Sequence, residues 1–145
     1  MRFGEGAEFR PRAYAEACSK ISIGSNVILQ VGTYMFAGPS QGGAGNTSEN
    51  NVLNAAGVHL YTDIHQFENP NIPIIEQGYR PTRRGDVIKV RSQSWIGAEV
   101  IVLAGIEIGE TSVVGAGTDV TKSVPHRTIF AGNPKGDFTK LDIPR

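Results

Sequence analysis

The stretch that decides the fold is Val90-Arg-Ser-Gln-Ser-Trp-Ile96-Gly-Ala-Glu-Val-Ile-Val102-Leu-Ala-Gly-Ile-Glu-Ile108-Gly-Glu-Thr-Ser-Val-Val114-Gly-Ala-Gly-Thr-Asp-Val120. A β-branched aliphatic residue stands at every sixth position: Val90, Ile96, Val102, Ile108, Val114 and Val120. Neither the helical period of about 3.6 nor the strand period of about 2 produces this spacing. A six-residue unit fits a short strand followed by a corner, repeated around a parallel β-helix. Small residues recur four places after the aliphatic one, as at Ser94, Ser112 and Thr118, where a sharp turn leaves little room inside. Glycine often follows the aliphatic residue directly, as at Gly97, Gly109 and Gly115, where tight backbone geometry is expected.

Upstream, the same register is expected at Phe3, Phe9 and Ala15, then Ile23, Leu29 and Met35, then Val52, Val58 and Ile64. With the six units above, this makes 15 units, or five triangular coils. The spacing leaves 2 extra residues after the Ala15 unit, 11 after Met35 and 20 after Ile64. Each gap follows a third unit, so all of them leave from one corner of a prism. The expectation is an all-β single domain over residues 1–145, with loop inserts at about 39–51 and 65–89 and a non-repeat tail at 126–145. Loops confined to one edge of a rigid solenoid are where a site is built.

Composition agrees and narrows the function. The 145 residues include 14 Ile and 12 Val against 5 Leu, the reverse of a helical bundle. The charges cancel, 14 Lys+Arg against 14 Asp+Glu, which gives no basic footprint for nucleic acid or an anionic membrane. Cys18 is the single cysteine, so an internal disulfide is excluded. No apolar run long enough to span a bilayer and no charged-then-apolar leader is present, so a cytoplasmic location is expected.

His65 is the foremost candidate for chemistry, because it follows Ile64 at the corner where the long insert begins. In the expected register Ile64 points inward and His65 outward. An imidazole suits general-base work near neutral pH. Asp63, two residues earlier, is expected on the same side of an extended chain, either orienting the imidazole or solvated. Phe67 and the run from Asn69 to Pro73 either wall an acceptor pocket or pack within the loop. His59, His65 and His126 are spaced so that no zinc set is expected. Arg80 and Arg83-Arg84 make the only local basic cluster.

Several segments resemble the hexapeptide-repeat acyltransferases, in particular the maltose, galactoside and polysaccharide O-acetyltransferases. They are Ile21-Ser-Ile-Gly-Ser-Asn26, Asp63-Ile-His-Gln-Phe-Glu-Asn-Pro-Asn-Ile-Pro-Ile74, Ser94-Trp-Ile-Gly-Ala98, Val114-Gly-Ala-Gly-Thr-Asp-Val-Thr-Lys122 and Ala131-Gly-Asn-Pro134. The resemblance implies a left-handed parallel β-helix that assembles as a homotrimer and takes acetyl-CoA in a groove between neighbouring copies. It implies His65 as the general base and an acceptor that is a small molecule with a hydroxyl group. It also implies Trp95 and Ala98 flanking the pantetheine, Ala116 along the same groove, and Thr121 and Lys122 toward the nucleotide. Two other readings stay open: a non-catalytic β-helix trimer, and a zinc enzyme like the carbonic anhydrases of this fold. Lys135-Gly-Asp-Phe138 departs from the family's usual ending, which puts the adenine end in doubt.

Overall fold

The computed structural model describes residues 1–38, 44–81, 83, 85–133 and 137–141. Strands of two to four residues lie in three sheets, one for each side of a triangular prism. The first side stacks Arg2–Phe3, Ile21–Ile23, Asn46–Ser48, Ile88–Val90 and Glu107–Ile108. The second stacks Glu8–Phe9, Ile28–Leu29, Leu53–Asn54, Trp95–Ile96, Val113–Val114 and Thr128–Ala131. The third stacks Tyr14–Glu16, Tyr34–Phe36, His59–Tyr61, Ile101–Val102 and Asp119–Val120. All these pairings are parallel, and the fold is a left-handed parallel β-helix of five complete coils. Among the described residues, no helix is long and apolar enough to cross a membrane.

The six-residue unit has a simple physical basis. Residues such as Leu29, Ile96 and Val114 point inward from the strand and are fully buried. Three places later the chain takes a positive φ, at Asn26, Gln93, Glu99 and Thr111 as well as at several glycines. A non-glycine residue there costs on the order of 1 kcal/mol, which stacking of coils must offset. The glycines directly after the inward residue have another role. A Cβ at Gly97 would come within 2.6 Å of the Ala116 amide nitrogen in the next coil. Glycine is needed there for coil-to-coil approach, and the left-handed turn lies two residues further on.

The structure corrects the register of the third coil. Ser48, Asn54 and Leu60 hold the inward positions, aligned with Val90, Ile96 and Val102, where Val52, Val58 and Ile64 were expected. Val52 and Val58 are buried, but as the corner residues four places after Ser48 and Asn54. Aliphatic spacing misled here because this coil carries polar residues on its strands and valines at its corners. Ile64 is 39% exposed and lies outside the coil.

The insert bounds move accordingly. Asn46–Ser48 belongs to the first side, so the expected insert 39–51 ends earlier; its residues 39–43 lie outside the described residues. Ile88–Val90 is likewise a strand, and the long arm runs between Thr62 and Val87. The tail is not wholly non-repeat either. Thr128–Ala131 adds to the second side, with Phe130 buried above Val114, and Asp137–Lys140 folds back antiparallel on it. Phe138 covers Phe130 at 4.8 Å between ring centroids and closes that end of the prism.

Candidate active site

The long arm leaves the third side after His59–Tyr61 and rejoins the first side at Ile88–Val90. Its two limbs meet where His65 forms an antiparallel bridge with Tyr79. Beyond the bridge the arm is tied by Gln77, at the end of a short helix, α1 (Ile74–Gln77). The Gln77 amide donates to the carbonyls of Asn69 (2.9 Å) and Ile72 (2.8 Å). At its base, the Arg80 guanidinium pairs with Asp86 at 3.1 Å, and the Arg83 amide donates to the same carboxylate at 2.6 Å. Arg80 is therefore committed to holding the arm, and Arg84 lies outside the described residues.

Between arm and prism lies a recess of about 250 Å³ lined by Tyr34, Phe36, Tyr61, Asp63, His65 and Tyr79. Tyr34, Phe36 and Tyr61 reach it because they flank the inward residues Met35 and Leu60 and so point outward from the third side. Cross-strand pairing sets Tyr34 opposite His59 and Phe36 opposite Tyr61. The His59 Nδ1 lies 2.8 Å from the Tyr61 hydroxyl, and His59 does not line the recess. The Tyr34 hydroxyl donates to Glu16 at 3.3 Å. Of these walls, Tyr61 escaped the sequence reading because the misplaced register of the third coil hid its outward position.

Asp63 and His65 both line the recess, but they are held differently. The His65 ring is stacked on Tyr79, 4.3 Å between centroids and 28° between planes. The Asp63 Oδ2 atom is buried without a hydrogen-bond partner. Burial pushes the Asp63 carboxyl above its ordinary range, with the nearby Lys20 charge acting in the opposite direction. Phe67 and Asn69 do not join them. They line a separate recess of about 490 Å³ on the arm, and the Asn69 side chain accepts the Asn71 amide at 3.0 Å within the loop.

No protein-family model matches the chain. A Staphylococcus aureus protein provisionally named an acetyltransferase is 32% identical over 122 residues, covering 84% of this chain and 56% of that one. A solved galactoside acetyltransferase in complex with coenzyme A is 28% identical, with a TM-score of 0.81 over 97% of this chain and 64% of that one. A Vibrio cholerae hexapeptide-repeat acetyltransferase, complexed with acetyl coenzyme A, shares the fold at 23% identity and a TM-score of 0.80, covering 97% of this chain and 70% of its own. The chain resembles the hexapeptide-repeat acetyltransferases. It spans about half the length of the first curated relatives it matches, 44% and 56%.

The remaining residues that the resemblance singles out lie elsewhere on the prism. Trp95 projects from the second side, 50% exposed. Ala98 and Ala116 stack on the corner between the second and third sides, where the Gly117 amide donates to the Ala98 carbonyl at 2.8 Å. Ala98 is half-buried and Ala116 exposed. Thr121 is exposed at the following corner. The Lys122 ammonium lies over the Phe138 ring at 4.5 Å, near the closing hairpin. Lys135 lies outside the described residues. Among the described residues, no three His, Cys, Asp or Glu side chains are placed to hold a metal ion. His126 lines a cavity with Glu49 and Arg91, away from both His59 and His65.

Proposed function

We propose that this chain is a CoA-dependent O-acyltransferase that moves an acetyl group from acetyl-CoA to a hydroxyl of a sugar or sugar-like molecule. The observation that carries the proposal is His65, an exposed imidazole held at the mouth of an aromatic recess by an arm from one corner of the prism. Similarity to a galactoside acetyltransferase supports both the acyl donor and the acceptor class. The apolar ring walls beside polar hydroxyl tips also suit a polyol with one apolar face.

The chemistry balances with His65 as the only proton carrier. Its imidazole takes the acceptor's hydroxyl proton as the oxygen attacks the thioester carbonyl. The carbon–sulfur bond breaks, and the departing CoA thiolate takes the proton from the imidazolium. Holding thioester and hydroxyl together supplies much of the acceleration, so no covalent enzyme intermediate is needed. Asp63 takes part here as a wall of the recess, and Phe67 and Asn69 as the arm's outer surface toward a larger acceptor.

The acyl donor would lie along Trp95, Ala98 and Ala116, with Thr121 and Lys122 toward its phosphates. Trp95 lies on the second side, whereas His65 lies on the arm that leaves the third. A homotrimer would bring the second side of one copy beside the arm of its neighbour. The test is thiol release from acetyl-CoA across a panel of sugars, combined with light scattering. Activity that falls by about 100-fold or more in His65→Ala, with acetyl-CoA binding kept, supports the reading. Unchanged turnover in that variant sinks it, and a monomer mass removes the shared site.

A further inference from the structure

We infer that Tyr79 is the positioning residue for His65, an assignment that rests on the reading of His65 as general base. The backbone places the two rings together. The Gln66 amide donates to the Gly78 carbonyl at 2.8 Å, and the Arg80 amide donates to the Ile64 carbonyl at 2.8 Å. These bonds bracket the His65–Tyr79 bridge, making it a non-hydrogen-bonded antiparallel pair. In such a pair the facing side chains come closest. The rings accordingly stack at 4.3 Å with 28° between their planes.

The limb that carries Tyr79 is itself fixed. Arg80, the next residue, is clamped to Asp86, which also accepts the Arg83 amide. The outer end is tied by the Gln77 bonds to Asn69 and Ile72. Tyr79 thus presents an anchored ring face to an imidazole that sits on an exposed loop. Asp63, for which the sequence left orienting His65 or solvation open, leaves its buried Oδ2 unpartnered and packs against Gly38.

The stack has two consequences for proton transfer. It restricts the imidazole to a plane roughly parallel to the Tyr79 ring, so the accepting nitrogen is aimed before the acceptor arrives. It also sets an aromatic face beneath the ring when His65 carries the proton, and such a face attracts a cation. Both effects need the ring and neither needs the phenol hydroxyl.

The experiment is a mutant cycle read by steady-state kinetics and by NMR of the His65 ring protons. Tyr79→Leu is expected to lower kcat by about 10–100-fold while acetyl-CoA KM stays within about twofold. Tyr79→Phe should restore kcat to within about threefold of the parent, because it keeps the ring. In a His65→Ala background, Tyr79→Leu should cost nothing further, since positioning acts only through the imidazole. The His65 ring protons should move downfield in Tyr79→Leu as the ring current is lost. Parental kcat in Tyr79→Leu, or an equal loss in the His65→Ala background, overturns the assignment. If Tyr79→Leu does not fold, Tyr79→Met takes its place under the same outcomes. A fully active His65→Ala refutes the general-base reading itself, whereas an inactive one beside a fully active Tyr79→Leu refutes only the positioning role.

Discussion

The carboxylate of Asp63 lies directly against the α-carbon of Gly38, where a Cβ would overlap both carboxylate oxygens. Gly38 is fixed from both sides: its amide donates to the Thr62 hydroxyl at 3.1 Å, and its carbonyl accepts from the Lys20 ammonium at 2.6 Å. Gly38 is held in place, so Gly38→Ala must push the Asp63 side chain into the recess. We expect a loss of about 1–3 kcal/mol in stability from overpacking. Acceptor kcat/KM should fall by about tenfold or more, with acetyl-CoA KM unchanged. An unaltered acceptor profile across the sugar panel would show that the recess does not hold the acceptor.

Asn54 stands inward between Leu29 and Ile96, fully buried, and neither polar atom of its side chain has a hydrogen-bond partner. Leaving a buried amide unpaired costs roughly 1–3 kcal/mol, and an apolar residue of similar shape removes that cost. Asn54→Leu should therefore stabilise the chain by about 1–2 kcal/mol, visible as a Tm several degrees higher. A lower Tm would mean that the amide is satisfied in solution, for instance by a trapped water.

Two carboxylates should respond to pH in opposite senses. Burial raises the Asp63 value, so the folded chain binds more protons than the unfolded one from the ordinary 3.8 up to the raised value. Stability falls as pH rises through that interval and stays lowered above it. Asp63→Asn should thus raise Tm at neutral pH and leave it unchanged well below 3.8. The Glu49 value is lowered, chiefly by its hydrogen bond from Arg91, which also pairs with Glu107. Its contribution is complete above the ordinary 4.5 and is lost as pH falls through the lowered value. The group is partly exposed and screened, so Glu49→Gln should cost only about 0.5–1 kcal/mol at neutral pH and nothing in strong acid. Thermal melts of both variants across pH check the signs.

Trp95 projects from the second side with half its surface exposed, so its removal should scarcely touch folding. If it flanks the acyl donor, Trp95→Ala should raise acetyl-CoA KM by about tenfold and leave kcat nearly intact. Isothermal titration with CoA gives the same answer without turnover. Equal affinity in the two proteins would move the donor groove away from the second side.

The coils from Val90 to Val120 were legible in the sequence because every inward strand residue there is aliphatic and no insertion interrupts them. The third coil was not, because Ser48 and Asn54 hold inward positions while Val52 and Val58 fill the corners. That four-residue shift concealed Tyr61, and with it part of the recess wall. His65 and Asp63 were legible as candidates, since their location at the insertion corner does not depend on that register.

Sequence by itself determined the prism, its five coils and the corner from which the arm leaves, because burial in a narrow core repeats at fixed chain intervals. Only the tertiary structure decided what surrounds His65. Tyr34 and Phe36 come from one coil, Tyr61 from the next, and Tyr79 from the far limb of the arm. Such partners are joined by stacking between coils and by one antiparallel bridge, neither of which follows a period along the chain.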